Sequence, residues 1–176
     1  SKAEQYGAAF GGPIIRDRLH FFVTYEAKDT IDPREIRLGT LTEPPYPVTP
    51  ELQSRLGTTN RPFNSDLYFG KLSWLPGDAH LVELTAKYRE EVELTSIGDG
   101  PNTASYGAAK GNDETRVDLR WQWNSTNWLN DAHLTYEDSF WNPKAITIGP
   151  GLRILLPQSI GAGTILNIGG GPDFQN

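Results

Sequence analysis

From Val82 onward the chain alternates. Val82, Leu84, Ala86 and Tyr88 take the even positions, and Val92 and Leu94 resume the pattern after a break at Glu90. Glu83, Thr85, Lys87, Arg89, Glu91 and Glu93 take the odd ones. A period of two belongs to an extended strand, whose side chains point to opposite faces in turn. This segment therefore makes one apolar face and one charged face. The pattern returns at Val117, Leu119, Trp121 and Trp123, set against Arg116, Asp118, Arg120 and Gln122. It returns at Leu134, Tyr136 and Phe140 against His133, Thr135, Glu137 and Ser139, with Asp138 as the exception. Tyr68, Leu72 and Trp74 oppose Lys71 and Ser73, with Phe69 out of phase. Leu19, Phe21, Val23, Tyr25 and Ala27 share a face opposite His20, Phe22, Thr24 and Glu26, and Tyr6, Ala8, Phe10 and Ile14 precede them in a weaker version.

These are about six strands of roughly 9–14 residues, whereas soluble strands average about 5–6. A strand that crosses a bilayer needs about 9–11 residues at a tilt near 45°. The connections alternate too. Short ones fall at Arg16-Asp17-Arg18, Pro76-Gly77-Asp78-Ala79 and Asn124-Ser125-Thr126-Asn127. Long ones cover 30–60, 97–113 and 143–176. Tight turns at one end and long loops at the other are the plan of outer-membrane barrels. Aromatic residues sit beside each short turn: Phe21, Trp74, Trp123 and Trp128. Such barrels carry aromatic girdles at both interfaces, where amphipathic rings sit at headgroup depth.

The expectation is an all-β fold: an antiparallel, up-and-down transmembrane β-barrel segment spanning 1–176, with short periplasmic turns and long extracellular loops. Its apolar faces would meet lipid and its charged faces would line a lumen. Six strands leave two open edges, and unpaired backbone groups are costly in hydrocarbon. Known membrane barrels begin at about eight strands, so further strands are expected from elsewhere. The absence of Met, at position 1 included, also fits a piece of something longer.

Within the loops, Thr49 as N-cap, Pro50 at the first helical position and Gly57 beyond the end predict a short helix. The final stretch is rich in glycine and reads as loop, with Ile165, Leu166 and Ile168 as candidates for a short strand or a cavity plug. If the loops bind a ligand, Tyr46, Trp141 and the segment Pro44-Pro45-Tyr46-Pro47 are the candidate contacts.

Several function classes drop out. A net charge of −6 argues against nucleic acid. The chain has no Cys, which excludes disulfides, thiolate metal sites and cysteine nucleophiles. His20, His80 and His133 lie on separate hairpins without ligand spacing, so no metal site is expected. Asp99, Asn102, Asn112, Asp113 and Glu114 cluster near one glycine-rich loop but lack the spacing of a calcium loop. No nucleophile pairs with a base, and neither Gly149-Pro150-Gly151 nor Gly161-Ala162-Gly163 is a dinucleotide fingerprint. No enzyme activity and no cofactor are expected.

The run Phe10-Gly11-Gly12-Pro13-Ile14-Ile15-Arg16-Asp17-Arg18-Leu19-His20-Phe21-Phe22-Val23-Thr24-Tyr25-Glu26 resembles the start of the barrel in TonB-dependent outer-membrane transporters, particularly the Oar-like group. Tyr68-Phe69-Gly70-Lys71-Leu72-Ser73-Trp74 and Trp128-Leu129-Asn130-Asp131-Ala132-His133-Leu134-Thr135-Tyr136 are similar to later parts of it. Ile168-Gly169-Gly170-Gly171-Pro172-Asp173-Phe174 is similar to a loop before the next strand. The resemblance implies a barrel of about 22 strands, an N-terminal plug and energy delivered through TonB. This chain would supply roughly strands two to seven of a receptor for a scarce nutrient in a bacterial outer membrane. Its partners would be outer-membrane lipid, the remainder of the barrel and plug, TonB, and a surface lipoprotein or other membrane subunits. Neither plug nor TonB-contact segment is present in the sequence. Two alternatives stand beside this one: a soluble β-sandwich that binds a ligand such as carbohydrate, and a passive porin.

Overall fold

A computed structural model of the chain describes residues 1–39, 49–98, 100–155 and 163–171. The described chain is all-β and antiparallel, as expected. Six strands form one antiparallel meander in chain order: β1 (Lys2–Ile15), β2 (Leu19–Ile36), β3 (Gly57–Gly77), β4 (His80–Thr95), β5 (Ala108–Asn124) and β6 (Leu129–Ala145). The sheet is open, with β1 and β6 as its edges. A separate hairpin pairs β7 (Gly151–Leu155) with β8 (Thr164–Gly169). The helical content is one short helix, α1 (Pro50–Gln53), and one 3₁₀ turn, Ala104–Tyr106, among the described residues. The hydroxyl of Thr49 caps α1 by accepting from the Leu52 N–H at 3.4 Å.

The three tight turns fall where the charged and polar knots lie. Arg16-Asp17-Arg18 closes on a bond from the Arg18 N–H to the Ile15 carbonyl at 3.1 Å. Asp17 takes φ 58°, a left-handed conformation that aspartate tolerates better than most residues.

The strands are longer than the alternation suggested, at 14 to 21 residues. Residues 30–36, 57–60, 108–113 and 143–145 are strand, not loop, and the long connections shrink accordingly to 37–56 and 96–107. The stretch after Ala145 likewise contains the β7–β8 hairpin, with Ile165, Leu166 and Ile168 in its second strand. Four prolines show how the sheet tolerates them. Pro13 and Pro143 lie on the edge strands β1 and β6. Pro33 lies where β2 outruns β1, whose pairing stops at Ile31, and Pro62 lies where β3 outruns β4, whose pairing starts at Phe63. Each sits on a strand with one side unpaired, where a missing N–H breaks no ladder bond.

The described part of the large sheet has little core of its own. Leu84, Leu119 and Leu134 are 40%, 42% and 70% exposed. Burial concentrates at the long-loop end, where Ile36, Ile165 and Leu166 form a cluster joined by Leu38, Leu52, Leu56, Ile154 and Ile168. Leu166 is completely buried.

Candidate functional site

Register places side chains in rows across the strands. Phe21, Leu72, Leu84, Leu119 and Leu134 stand side by side on β2 to β6. The neighbouring row on the same face is Phe10, Val23, Gly70, Ala86, Val117 and Tyr136. Towards the tight turns the face becomes indole-rich: Leu19, Trp74, Val82 and Trp121 in one row, then His80 and Trp123. His80 stacks between Trp121 and Trp123, with centroids 6.0 and 6.2 Å away. The Trp121 indole donates to His80 Nδ1 at 3.3 Å.

Towards the long loops the same face ends in tyrosines. Tyr25, Tyr68 and Tyr88 are directly opposed, with centroids 5.0 and 6.2 Å apart, and Tyr6 reaches Tyr25 at 6.4 Å. One row further the face turns acidic: Asp66, Glu90 and Asp113 lie opposite one another. The Tyr25 hydroxyl donates to Asp66 at 2.6 Å. An aliphatic band thus lies between an indole row and a phenol row. His80 and Tyr88 are eight residues apart on β4, which at roughly 3.3 Å per residue is about 26 Å along the strand.

The opposite face is a lattice of charges. Glu83 pairs with Lys71 at 2.6 Å and Arg120 at 3.6 Å, and Arg120 continues to Asp131 at 2.6 Å. Glu114 takes Lys87 and Arg89, each at 2.7 Å. Arg116 bridges Asp118 at 3.0 Å and Glu137 at 3.7 Å. Asn112 donates to Glu91 at 2.9 Å. Over β2 and β3 this face is less polar: Phe22 meets Phe69 edge-on at 6.4 Å, and Lys28 lies 6.0 Å over Phe63.

The loops gather over one face only. Ile36, Ala108 and Pro143 are buried at the strand ends, and alternation puts all three on the charged face. The loop cap is knitted by backbone bonds: Arg37 N–H to the Gly100 carbonyl at 2.9 Å, Gly39 N–H to Ile165 at 3.0 Å, and Ile146 N–H to Gly107 at 3.1 Å. Its centre is polar. The Thr103 hydroxyl donates to the Asn167 carbonyl at 2.8 Å, the Asn167 amide to Asn102 at 2.7 Å, and Arg153 Nε to Asn167 Oδ1 at 3.2 Å. The Ser105 hydroxyl accepts from the Gly169 N–H at 3.1 Å. These bonds join segments around 102–105, 153 and 167–169, so the cluster acts as mortar between loops.

Of the two candidate ligand contacts, Trp141 lies on β6, on the charged face, opposite Asn112 and 53% exposed. It is two ladder positions from the buried Pro143, the next residue on the same face, and thus borders the loop cap. Tyr46 and the surrounding prolines lie outside the described residues. The structure therefore places Trp141 beside the charged lattice and says nothing of a partnership with Tyr46. Alternation could have found the face of Trp141, since it continues the series Glu137, Ser139. The Thr103–Asn167 network carries no such signal, because Asn102, Thr103 and Ser105 lie more than sixty residues from their partners Asn167 and Gly169.

Among the described residues no group of three or more His, Asp or Glu gathers with the geometry of a metal site, and no helix is long and apolar enough to cross a membrane. The described residues define a class by architecture alone: an all-β, antiparallel sheet with a bare apolar face and a charged face capped at its loop end. No family model, no curated protein and no solved structure matches the chain.

Proposed function

We propose that this sheet is part of the wall of a β-barrel in a bacterial outer membrane, its apolar face against lipid and its charged face towards a lumen. The carrying observation is the layering of the apolar face. Indoles, an aliphatic band and tyrosines follow in order, no part of the described chain covers them, and apart from Asp138 at the β6 end of the tyrosine row charge begins beyond them. Monomeric soluble proteins rarely expose a contiguous apolar patch across a whole sheet. A bilayer is the environment in which that order minimises free energy. A strand tilt of about 40° brings the 26 Å between His80 and Tyr88 to about 20 Å of depth, near the apolar band of about 25 Å in such barrels.

The barrel itself is an uptake transporter of the TonB-dependent class, on the resemblance of residues 10–26, 68–74, 128–136 and 168–174. Further strands on β1 and β6, a plug against the charged face, TonB and a surface lipoprotein or other membrane subunits complete it. Trp141, below the cap on the luminal side, and Tyr46 in the first long loop are its ligand contacts. A soluble sandwich would need a second sheet over Leu84, Leu119 and Leu134, whereas the β7–β8 hairpin lies at the loop end.

The test has two arms. The chain should require detergent or bilayer to stay folded, and a folded, monodisperse chain in plain buffer overturns the membrane reading. A photoreactive residue at Glu83 of the parent protein, in intact outer membranes, should cross-link to a plug segment. An inserted barrel with no such cross-link is a passive porin.

A further inference from the structure

We infer that the turn end of the apolar face carries a seat for one anionic phospholipid, with an acyl chain in a groove over β2–β5 and its phosphate on Arg16 and Arg18. The inference rests on the membrane reading above and adds a lipid of stated charge to it.

The groove is on the page. Leu19, Leu72, Trp74, Val82, Leu84 and Leu119 enclose about 360 Å³ of open apolar space. They come from two adjacent rows, Leu19–Trp74–Val82 and Leu72–Leu84–Leu119, so the groove crosses four strands. Val82 is the small member between Trp74 and Trp121, and the depression follows from that difference in side-chain volume. Its walls remain substantially bare, with Trp74 49% and Leu72 41% exposed. A flexible hydrocarbon chain fills an open-sided apolar slot of this kind, and burying it removes apolar surface from water on both partners.

Charge decides which lipid. The groove ends at Leu19, the first residue of β2, and the preceding turn is Arg16-Asp17-Arg18. The Leu75 N–H donates to the Arg18 carbonyl at 2.7 Å, which fastens that turn to the end of β3 beside Trp74. Arg16 and Arg18 are both exposed. The other tight turns offer no cation: one carries Asp78, and the other is Asn124-Ser125-Thr126-Asn127. The only cationic turn of the three therefore adjoins the groove. A guanidinium binds a phosphate diester through parallel N–H bonds, and two of them favour a headgroup whose phosphate charge no ammonium cancels. Asp17 removes part of the attraction, leaving the turn at net +1, and it discourages binding of a polyanion.

The test uses the complete barrel to which this chain belongs, assembled in phosphatidylcholine bilayers, with Trp74 left as the single tryptophan by changing every other one to Phe, Trp121, Trp123, Trp128 and Trp141 included. Acyl chains brominated near the headgroup quench an indole they touch. Brominated phosphatidylglycerol, as a minor component, should quench Trp74 about fivefold more effectively than the same fraction of brominated phosphatidylcholine. Arg16→Gln with Arg18→Gln should abolish that preference and leave quenching by phosphatidylcholine unchanged, which also certifies that the variant is inserted. Equal quenching by the two lipids overturns the seat and leaves the membrane reading standing. A preference that survives loss of both arginines overturns the assignment to this turn. Absence of quenching by either lipid overturns the membrane reading itself.

Discussion

The loop cap and the six-stranded sheet solve the burial problem in opposite ways. The cap is built from short elements around a small core, and its Leu166 is fully buried among Ile36, Ile165 and their neighbours. The sheet has long strands and continuous ladders, with nothing described over its apolar face and the cap over only the loop end of its charged face. Stability in water comes chiefly from removing apolar area. The cap satisfies that rule within the chain, and the sheet does not. The comparison teaches that the two regions are adapted to different surroundings: the cap holds itself together, and the sheet depends on what lies against it.

Substitutions separate the two. The largest expected effect is in the cap. Leu166→Ala leaves a cavity with no solvent access and should cost about 2–5 kcal/mol of local stability. Hydrogen exchange should then rise across β7, β8 and Ala104–Tyr106, while the amides of β3 to β5 keep their protection. Loss of protection throughout the sheet would show that the cap is no separate unit. Next comes Leu84→Arg, in the centre of the apolar band. In a bilayer it should cost about 2–4 kcal/mol near the midplane, read as lost assembly into vesicles. Assembly indistinguishable from that of the unaltered chain would break the lipid assignment.

A smaller effect is expected at the polar centre of the cap. Asn167→Ala removes the acceptor for Arg153 and the donor to Asn102. The groups left behind are partly buried, so the cost should be about 1–3 kcal/mol. Limited proteolysis should cut first within 96–107 or 146–155. Cleavage unchanged from the parent would mean that the backbone bonds alone close the cap.

How far this was legible in the sequence follows the same division. The middle of the sheet was, because a face that meets one medium must repeat every second residue, and Val82–Tyr88 or Val117–Trp123 do so without interruption. The outer strand ends were not. Thr58-Thr59-Asn60-Arg61-Pro62 on β3 and Asp32-Pro33-Arg34 on β2 are polar on both faces, and without contrast between faces a period of two is invisible. The cap was legible only in its pieces, the helix begun by Thr49 and Pro50 and the short strand at Ile165, Leu166 and Ile168, and their assembly was not. Its contacts join segments such as Asn102 and Asn167, 65 residues apart, and no local spacing records such a pairing. Of the two proposed ligand contacts, Trp141 was read as a loop residue and lies on β6, where alternation past Ser139 would have put it on the charged face, and Tyr46 lies outside the described residues.

The smallest effect should come from the charged face, and its size says how wet that face is. Glu114 holds Lys87 and Arg89 at 2.7 Å, with its side chain 14% exposed and theirs 34%. In a dry interior, removing the shared carboxylate would strand two cations and cost about 3–5 kcal/mol. Against a water-filled lumen the cations are re-solvated. Arg89 also keeps Glu91 at 3.4 Å, so Glu114→Gln should cost no more than about 1 kcal/mol. Thermal unfolding of the two forms in the same detergent measures the difference. A small loss joined to a large one for Leu84→Arg is the signature of a sheet with water on one side and hydrocarbon on the other. A loss of several kcal/mol at Glu114 would instead place a packed protein layer over the lattice. The comparison would then be between two buried faces, and the lumen would have to be given up while the lipid face survived.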